Sequence, residues 1–84
     1  MHKPRVPKHT TYVKEIGDGI VRTIKVIEYR HWFVAATRDV RDGDEDNAIL
    51  GNRKFFRTKS SPTDKDILAD IFRWYGIDET NRLP

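Results

Sequence analysis

The chain contains no cysteine, and its one methionine is Met1. The absence of cysteine excludes a disulfide framework and any thiolate metal site, and it agrees with a reducing compartment. No apolar run approaches the roughly 20 residues that a membrane-spanning helix needs. Residues 1–5 are basic but have no apolar segment behind them, so we expect no secretory signal there. We therefore expect a cytoplasmic protein with no membrane partner.

The sequence also lacks the usual signatures of catalysis. The segment 17–19 has two glycines but neither the third glycine nor the following helix of a phosphate-binding loop. No serine stands in a nucleophile elbow. Residues 42–47 alternate oxygen donors as a calcium loop does, yet the glycine and glutamate positions of such a loop are filled by other residues. The histidines show no metal-ligand spacing; they are His2, His9 and His31. We expect no enzyme, no metal site and no cofactor.

The length and composition fit one small folded domain. At 84 residues there is room for one hydrophobic core. Hydrophobic residues make up 37% of the chain, enough to form that core, and charged residues make up 35%, so the surface is densely ionic. The net charge is +3. Its distribution is uneven, because the segments 1–9 and 52–59 are basic and free of acids whereas residues 42–46 are acidic.

Local patterns predict an α+β fold, with an antiparallel sheet of three to four strands and one C-terminal helix on one face. β-branched and aromatic residues favour strands, and glycine-rich segments favour turns. The predicted strands are 10–16, 20–29, 32–40 and 53–58, separated by a turn at 17–19 and a loop at 41–52. We expect residues 1–9 to be a flexible basic tail, 10–76 the domain, and 77–84 a loosely ordered tail docked through Ile77 or Leu83.

The helix carries the clearest amphipathic pattern in the chain. Ser61 suits the capping position and Pro62 the first helical position, with Thr63 as an alternative cap. The apolar residues between Ile67 and Tyr75 cover an arc of roughly 160°, and Gly76 suits the left-handed position that ends a helix. The facing of strand 32–40 is ambiguous, because its pattern allows either face or both faces to be buried.

The segment 52–59 combines four cations with two aromatic residues and has no acid. Cations neutralise phosphates, and exposed aromatic rings stack on bases. We therefore predict contact with nucleic acid, DNA in preference to RNA. The expected contact residues, including cations of neighbouring strands, are Arg53, Lys54, Phe55, Arg57, Lys59, Arg22, Lys25 and Arg38. The alternative is that the phenylalanines are core residues and that the cations protect an edge strand from aggregation.

The order of the elements resembles a known group of DNA-binding domains. The strand that begins Trp32-Phe33-Val34, the strand Lys54-Phe55-Phe56-Arg57-Thr58 and the helix after them look like the small domains at the N-termini of tyrosine recombinases. The order is also similar to that of plant ethylene-response domains. The likeness covers residues 20–76. It implies that the sheet enters the major groove of DNA while the helix backs it. The acidic loop departs from this pattern and would repel phosphates beside it.

A protein partner is the competing hypothesis. Trp, Tyr and Arg are common anchors of protein interfaces, and the chain is rich in aromatic residues. An inhibitor or small regulatory protein, of the kind that phages encode, would use exposed aromatics and charged patches. The residues proposed for this alternative are Trp32, Tyr29, Asp44 and Glu45. A homodimer formed through an edge strand is a third alternative.

Overall fold

The computed structural model describes residues 7–30, 32–57 and 64–84. It confirms the α+β class, with an antiparallel sheet and one helix near the C-terminus. Two 3₁₀ turns, at Glu45–Asn47 and Glu79–Asn81, complete the regular structure of the described residues. The strands and the helix are β1 (Lys8–Gly17), β2 (Ile20–Glu28), β3 (Phe33–Arg41), β4 (Ile49–Leu50), β5 (Lys54–Phe56) and α1 (Asp64–Tyr75).

The sheet has the order β1-β2-β3, and β3 pairs with two further short strands. β4 pairs with β3 at Arg38 and Asp39, near its C-terminal end. β5 pairs with residues 33–35, at the opposite end. The two short strands thus lie along the same edge of β3, and the three residues 51–53 join them.

The first hairpin has a turn whose backbone matches its sequence. Gly17 pairs with Ile20, which leaves Asp18 and Gly19 as a two-residue loop. Both have positive φ, at 54° and 72°. This is the type I′ geometry that suits the twist of a hairpin, and Asp-Gly is one of the pairs that adopt it most readily. The predicted turn is therefore confirmed.

Helix α1 covers one face of the sheet and forms the core with it. Alternation along the strands places Tyr12, Ile24, Val26, Phe33 and Ala35 on the same side. All are buried, and they pack with three residues from the helix and its C-terminal side, which are Ile67, Ile71 and Ile77. We call this the helix face of the sheet. No helix of the described residues is long and apolar enough to cross a membrane.

The boundaries differ from prediction in several places. β1 begins at Lys8 rather than at residue 10, so Lys8 and His9 belong to the sheet and not to the predicted tail. The predicted loop 41–52 contains β4, which its charged composition concealed. The predicted fourth strand shortens to Lys54–Phe56. The proposed caps of the helix, residues 61–63, lie outside the described part of the chain.

β3 settles the ambiguity of facing, since both of its sides are buried at its start. Phe33 and Ala35 face the helix, whereas Val34, on the other side, is also only 7% exposed. Val34 lies between Ile27 of β2 and Phe55 of β5 in the register of the sheet. Its neighbours on the sheet shield it, so a short apolar stretch exists on the face opposite the helix.

The segment that follows the helix is held against β1. Gly76 has φ 64°, and the N–H of Ile77 donates to the Phe72 carbonyl. Together these features end the helix in a Schellman-type turn. Further on, the Leu83 N–H donates to the Thr11 carbonyl, and the Asn81 side chain donates to a carbonyl of the same strand. We predicted that Ile77 or Leu83 docks this segment. Of the two side chains, Ile77 is the buried one.

Asp78 fixes the start of the second 3₁₀ turn. Its carboxylate accepts hydrogen bonds from the hydroxyl and from the backbone N–H of Thr80. In return, the Asn81 side chain accepts from the backbone N–H of Asp78, which completes a capping box. The two hydrogen bonds from Thr80 lower the pKa of Asp78.

Candidate nucleic-acid interface

The face of the sheet opposite the helix carries side chains in regular rows. We call it the open face. Because successive residues alternate sides, cross-strand partners share a face. One row consists of His9, Ile27, Val34 and Phe55, and the next consists of Thr11, Lys25 and Ala36. A third row contains Val13, Thr23, Arg38 and Leu50.

Three aromatic side chains cluster at one end of the open face. The N–H of Tyr29 donates to the Trp32 carbonyl at 2.9 Å across the turn between β2 and β3, which places the two rings side by side. They stack with centroids 4.4 Å apart and planes inclined by 12°. The ring of Phe55, from β5, lies 5.4 Å from that of Trp32. We call Tyr29, Trp32 and Phe55 the aromatic cluster.

The aromatic cluster is supported from the sheet and open to solvent. Val34 is buried next to Phe55 in the register. The Phe55 side chain, in contrast, is 62% exposed. Exposing an aromatic ring to this extent forgoes much of its hydrophobic stabilisation. An exposed ring beside two others is therefore a candidate contact for a ligand.

Exposed cations lie beside Phe55 along the chain and in the second row of the open face. Arg53 and Arg57 stand just outside the two ends of β5, each two residues from Phe55, and both are exposed. Lys25 is exposed in the second row of the open face. Within the described residues, none of these three cations forms an ion pair. Their charges are therefore available to an anionic ligand.

Arg38 also lies on the open face but is already paired with an acidic side chain. Its guanidinium forms an ion pair with Glu45 at 2.6 Å. Both side chains are largely exposed, so the pair adds little stability and solvent competes with it. Arg38 therefore stands at the end of β3 that carries the acidic loop, where its charge is partly balanced.

Two of the predicted cations point to the helix face instead. Arg22 lies opposite Asp39, and its Nε and Nη2 donate to the two carboxylate oxygens at 2.8 Å each. Hydrogen bonding from Arg22 lowers the pKa of Asp39, and the same contact raises the pKa of Arg22. Lys54 places its Nζ 3.9 Å from the centroid of the Trp74 ring on α1, a cation–π contact.

The predicted nucleic-acid residues therefore divide between the two faces. Arg53, Phe55 and Arg57 lie together along the chain at the aromatic cluster, and Lys25 and Arg38 lie in the second and third rows of the open face. Arg22 and Lys54 belong to the helix face. Lys59 lies outside the described residues. The division follows from strand alternation, because neighbours in a strand project to opposite sides.

The residues of the protein-partner alternative form two separate groups. Tyr29 and Trp32 belong to the aromatic cluster. Asp44 and Glu45 belong to the loop beyond the other end of β3, and Glu45 is tied to Arg38. Arg38 is six residues after Trp32 in extended chain, a distance of about 20 Å. One continuous interface based on all four residues would have to extend along most of β3.

Sequence reasoning missed that His9 lies on the open face and that the three rings of the aromatic cluster lie together. His9 lies on the open face in the row of Phe55 and is exposed. Alternation counted back from Tyr12 would have found its side, had β1 been extended to Lys8. The cluster depends on pairing between β3 and β5, which are separated by a long loop, and a local pattern gives no signal for that pairing.

Comparisons with protein-family models, with curated proteins and with solved structures find no significant match to this chain. Among the described residues, no group of three or more His, Cys, Asp or Glu side chains is placed to hold a metal ion.

Proposed function

We propose that this protein is a non-enzymatic binding module that contacts nucleic acid through the open face of its sheet. One observation carries the proposal. The Phe55 ring is exposed next to Trp32, and it lies between two exposed arginines, Arg53 and Arg57. DNA is preferred to RNA as the partner, on the resemblance of element order to DNA-binding domains.

The charges and the rings supply two different contributions. Cations that neutralise phosphates release condensed counterions, which provides affinity that does not depend on sequence. Aromatic rings stack on bases and fix where the strand lies. Lys25, Arg53 and Arg57 are placed for the first contribution, and the aromatic cluster for the second. The helix covers the other face, so it backs the sheet without obstructing the ligand.

The test is a titration of fluorescently labelled oligonucleotides with the protein at several salt concentrations, followed by anisotropy. The double substitution Arg53→Gln and Arg57→Gln should weaken binding. If each arginine contacts one phosphate, the slope of log K against log salt should become shallower by about 1.4 for a single strand or about 1.8 for a duplex. Folding should be unchanged, because both side chains are exposed.

The matched control removes the same charge from the other side of the molecule. Lys65 and Arg73 are exposed cations of α1. Replacing both with Gln changes the net charge by the same amount but leaves the open face intact. Equal losses in the two double variants would show that only net charge matters, and the proposed surface would be wrong.

A second function has one observation in its favour. Ile49 and Leu50 of β4 are 71% and 73% exposed, and they follow directly on the acidic loop that contains Asp44 and Glu45. The two side chains project to opposite faces, and Leu50, on the open face, offers an apolar contact near these acids that suits a basic protein partner. Absence of binding to every oligonucleotide at low salt would favour this function, and a pull-down with Leu50→Ser as the control would then test it.

A further inference from the structure

The free ring faces of the aromatic cluster bear on whether the nucleic acid is single-stranded or double-stranded. Tyr29 and Trp32 stack with nearly parallel planes, 12° apart, so each already uses one face. Phe55 is inclined by 33° to Trp32 and keeps most of its surface in solvent. A flat apolar partner can therefore be added at Phe55 without displacing an existing ring contact.

A base can stack on such a ring only when its own face is free. In a duplex the bases are stacked on one another, and proteins reach only their edges in the grooves. In a single strand the bases can be splayed out and laid on aromatic side chains. The exposed face of Phe55 fits the second kind of ligand.

From this geometry we infer that the ligand of the open face is single-stranded nucleic acid, with unpaired bases stacked on the aromatic cluster at Phe55. The inference rests on the proposed function and narrows its ligand class. It departs from the duplex partner that the element order implies. Lys25, Arg53 and Arg57 contact the phosphates on either side of the stacked bases.

The distribution of charge along β3 agrees with a short, flexible ligand. The aromatic cluster and its cations lie at the start of β3, and the acidic loop lies at its end. Nine residues of strand separate these ends by about 30 Å. A rigid duplex laid along the strand would bring phosphates towards Asp44 and Asp46. A short single strand needs only the basic end.

The support beneath the rings is already formed in the free protein. Val34 is buried next to Phe55 in the register of the sheet, and the hydrogen bond from Tyr29 to Trp32 closes the turn that carries two of the rings. Side chains held in place lose little rotamer freedom on binding, which favours affinity. The cluster therefore offers a preformed stacking surface.

The experiment uses tryptophan fluorescence, since the chain has two tryptophans. Trp32 lies in the cluster and Trp74 lies on α1, on the other side of the sheet. A Trp74→Phe variant reports on Trp32 alone, and a Trp32→Phe variant reports on Trp74 alone. Each is titrated with oligo(dT), oligo(rU) and a mixed-sequence duplex of equal length at one salt concentration. Far-UV circular dichroism checks that both variants are folded.

We expect both single strands to quench Trp32, and the duplex to leave its emission unchanged. The emission of Trp74 should stay constant throughout. The two single strands then distinguish DNA from RNA as the tighter ligand. Equal quenching of both tryptophans, or duplex binding as tight as single-strand binding, would overturn the inference.

A second pair of variants separates stacking from general apolar contact. Phe55→Leu keeps an apolar side chain but removes the ring, and it should weaken single-strand binding about 5- to 150-fold. Trp74→Leu is the matched control, because Trp74 is 63% exposed but lies on α1, and it should not change affinity. If Phe55→Leu binds normally while the Arg53 and Arg57 variant binds weakly, the inference of stacking at Phe55 is wrong and the proposed function stands. If no oligonucleotide binds, both the stacking inference and the proposed function are wrong.

Discussion

The ion pair between Arg22 and Asp39 gives a stability prediction that also tests the division between the faces. The two N–H···O contacts are both 2.8 Å long, and the side chains are 34% and 20% exposed. The substitution Asp39→Asn removes the negative charge with little change in shape. It keeps one oxygen that can accept a hydrogen bond, so the loss is mainly electrostatic.

The expected loss of stability in Asp39→Asn lies between two reference cases. Hydrogen bonds to charged groups contribute about 1.5–3 kcal/mol when well formed, and exposed ion pairs contribute about 0.2–1 kcal/mol. A bidentate pair with a third of one side chain exposed falls between them, and Asn retains part of the contact. We therefore expect Asp39→Asn to lower the free energy of unfolding by about 1 kcal/mol, discounted for solvent screening. That corresponds to a Tm lower by about 4–8 °C.

The pH dependence gives the sharper check. The pKa of Asp39 is lowered in the folded protein, so its contribution is fully present above the unfolded value near 3.8. It is lost as the pH falls through the folded value. The difference between the wild type and Asp39→Asn should be constant from about pH 7 to about pH 5 and should shrink below about pH 4.

The assay is urea unfolding followed by tryptophan fluorescence, with a double-mutant cycle that adds Arg22→Gln. A coupling energy below about 0.3 kcal/mol, within the error of additivity, would refute the reasoning. So would a difference that stays the same at about pH 3 as at neutral pH. The single variant Arg22→Gln should bind oligonucleotides more tightly than the Arg53 and Arg57 double variant. The reason is that the charge of Arg22 is already balanced by Asp39 on the helix face.

Two further predictions concern the core and the end of the helix. Ile71→Ala should cost about 2–5 kcal/mol in urea unfolding, because Ile71 is fully buried. The same truncation at exposed Ile49 should stay within about 0.5 kcal/mol, and equal costs would contradict the placement of the core. Gly76→Ala should cost about 1–2 kcal/mol, because φ at this position is 64°. Gly76→Asn should cost less, since Asn tolerates left-handed backbone, and the reverse order in thermal unfolding would refute the strain argument.

The parts of the fold that were predictable depend on local signals. The Asp-Gly turn, the long β-branched strand β2 and the end of the helix at Gly76 each follow from residues close together in sequence. β4 was missed because two apolar residues, Ile49 and Leu50, carry too weak a pattern within a charged loop. Its pairing with β3 is a tertiary effect, and intrinsic strand preference depends strongly on such context.

The candidate site was predictable in composition but not in arrangement. The aromatic and basic segment 52–59 contains β5, yet the number of cations on one face could not be read from it. Lys54 turns to Trp74 and Arg22 turns to Asp39. The aromatic cluster requires β5 to lie beside the start of β3, and only the register of the sheet shows that.

Strand β5 shows how one short motif serves both the core and the surface. Phe56 packs against the helix-side core while Phe55, the next residue, faces solvent on the other side. The two interpretations of this segment, core strand and ligand contact, are therefore compatible. The first applies to Phe56, and the second is our proposal for Phe55. Truncating Phe56 should then act on stability and truncating Phe55 on binding, so the two side chains of one dipeptide separate folding from recognition.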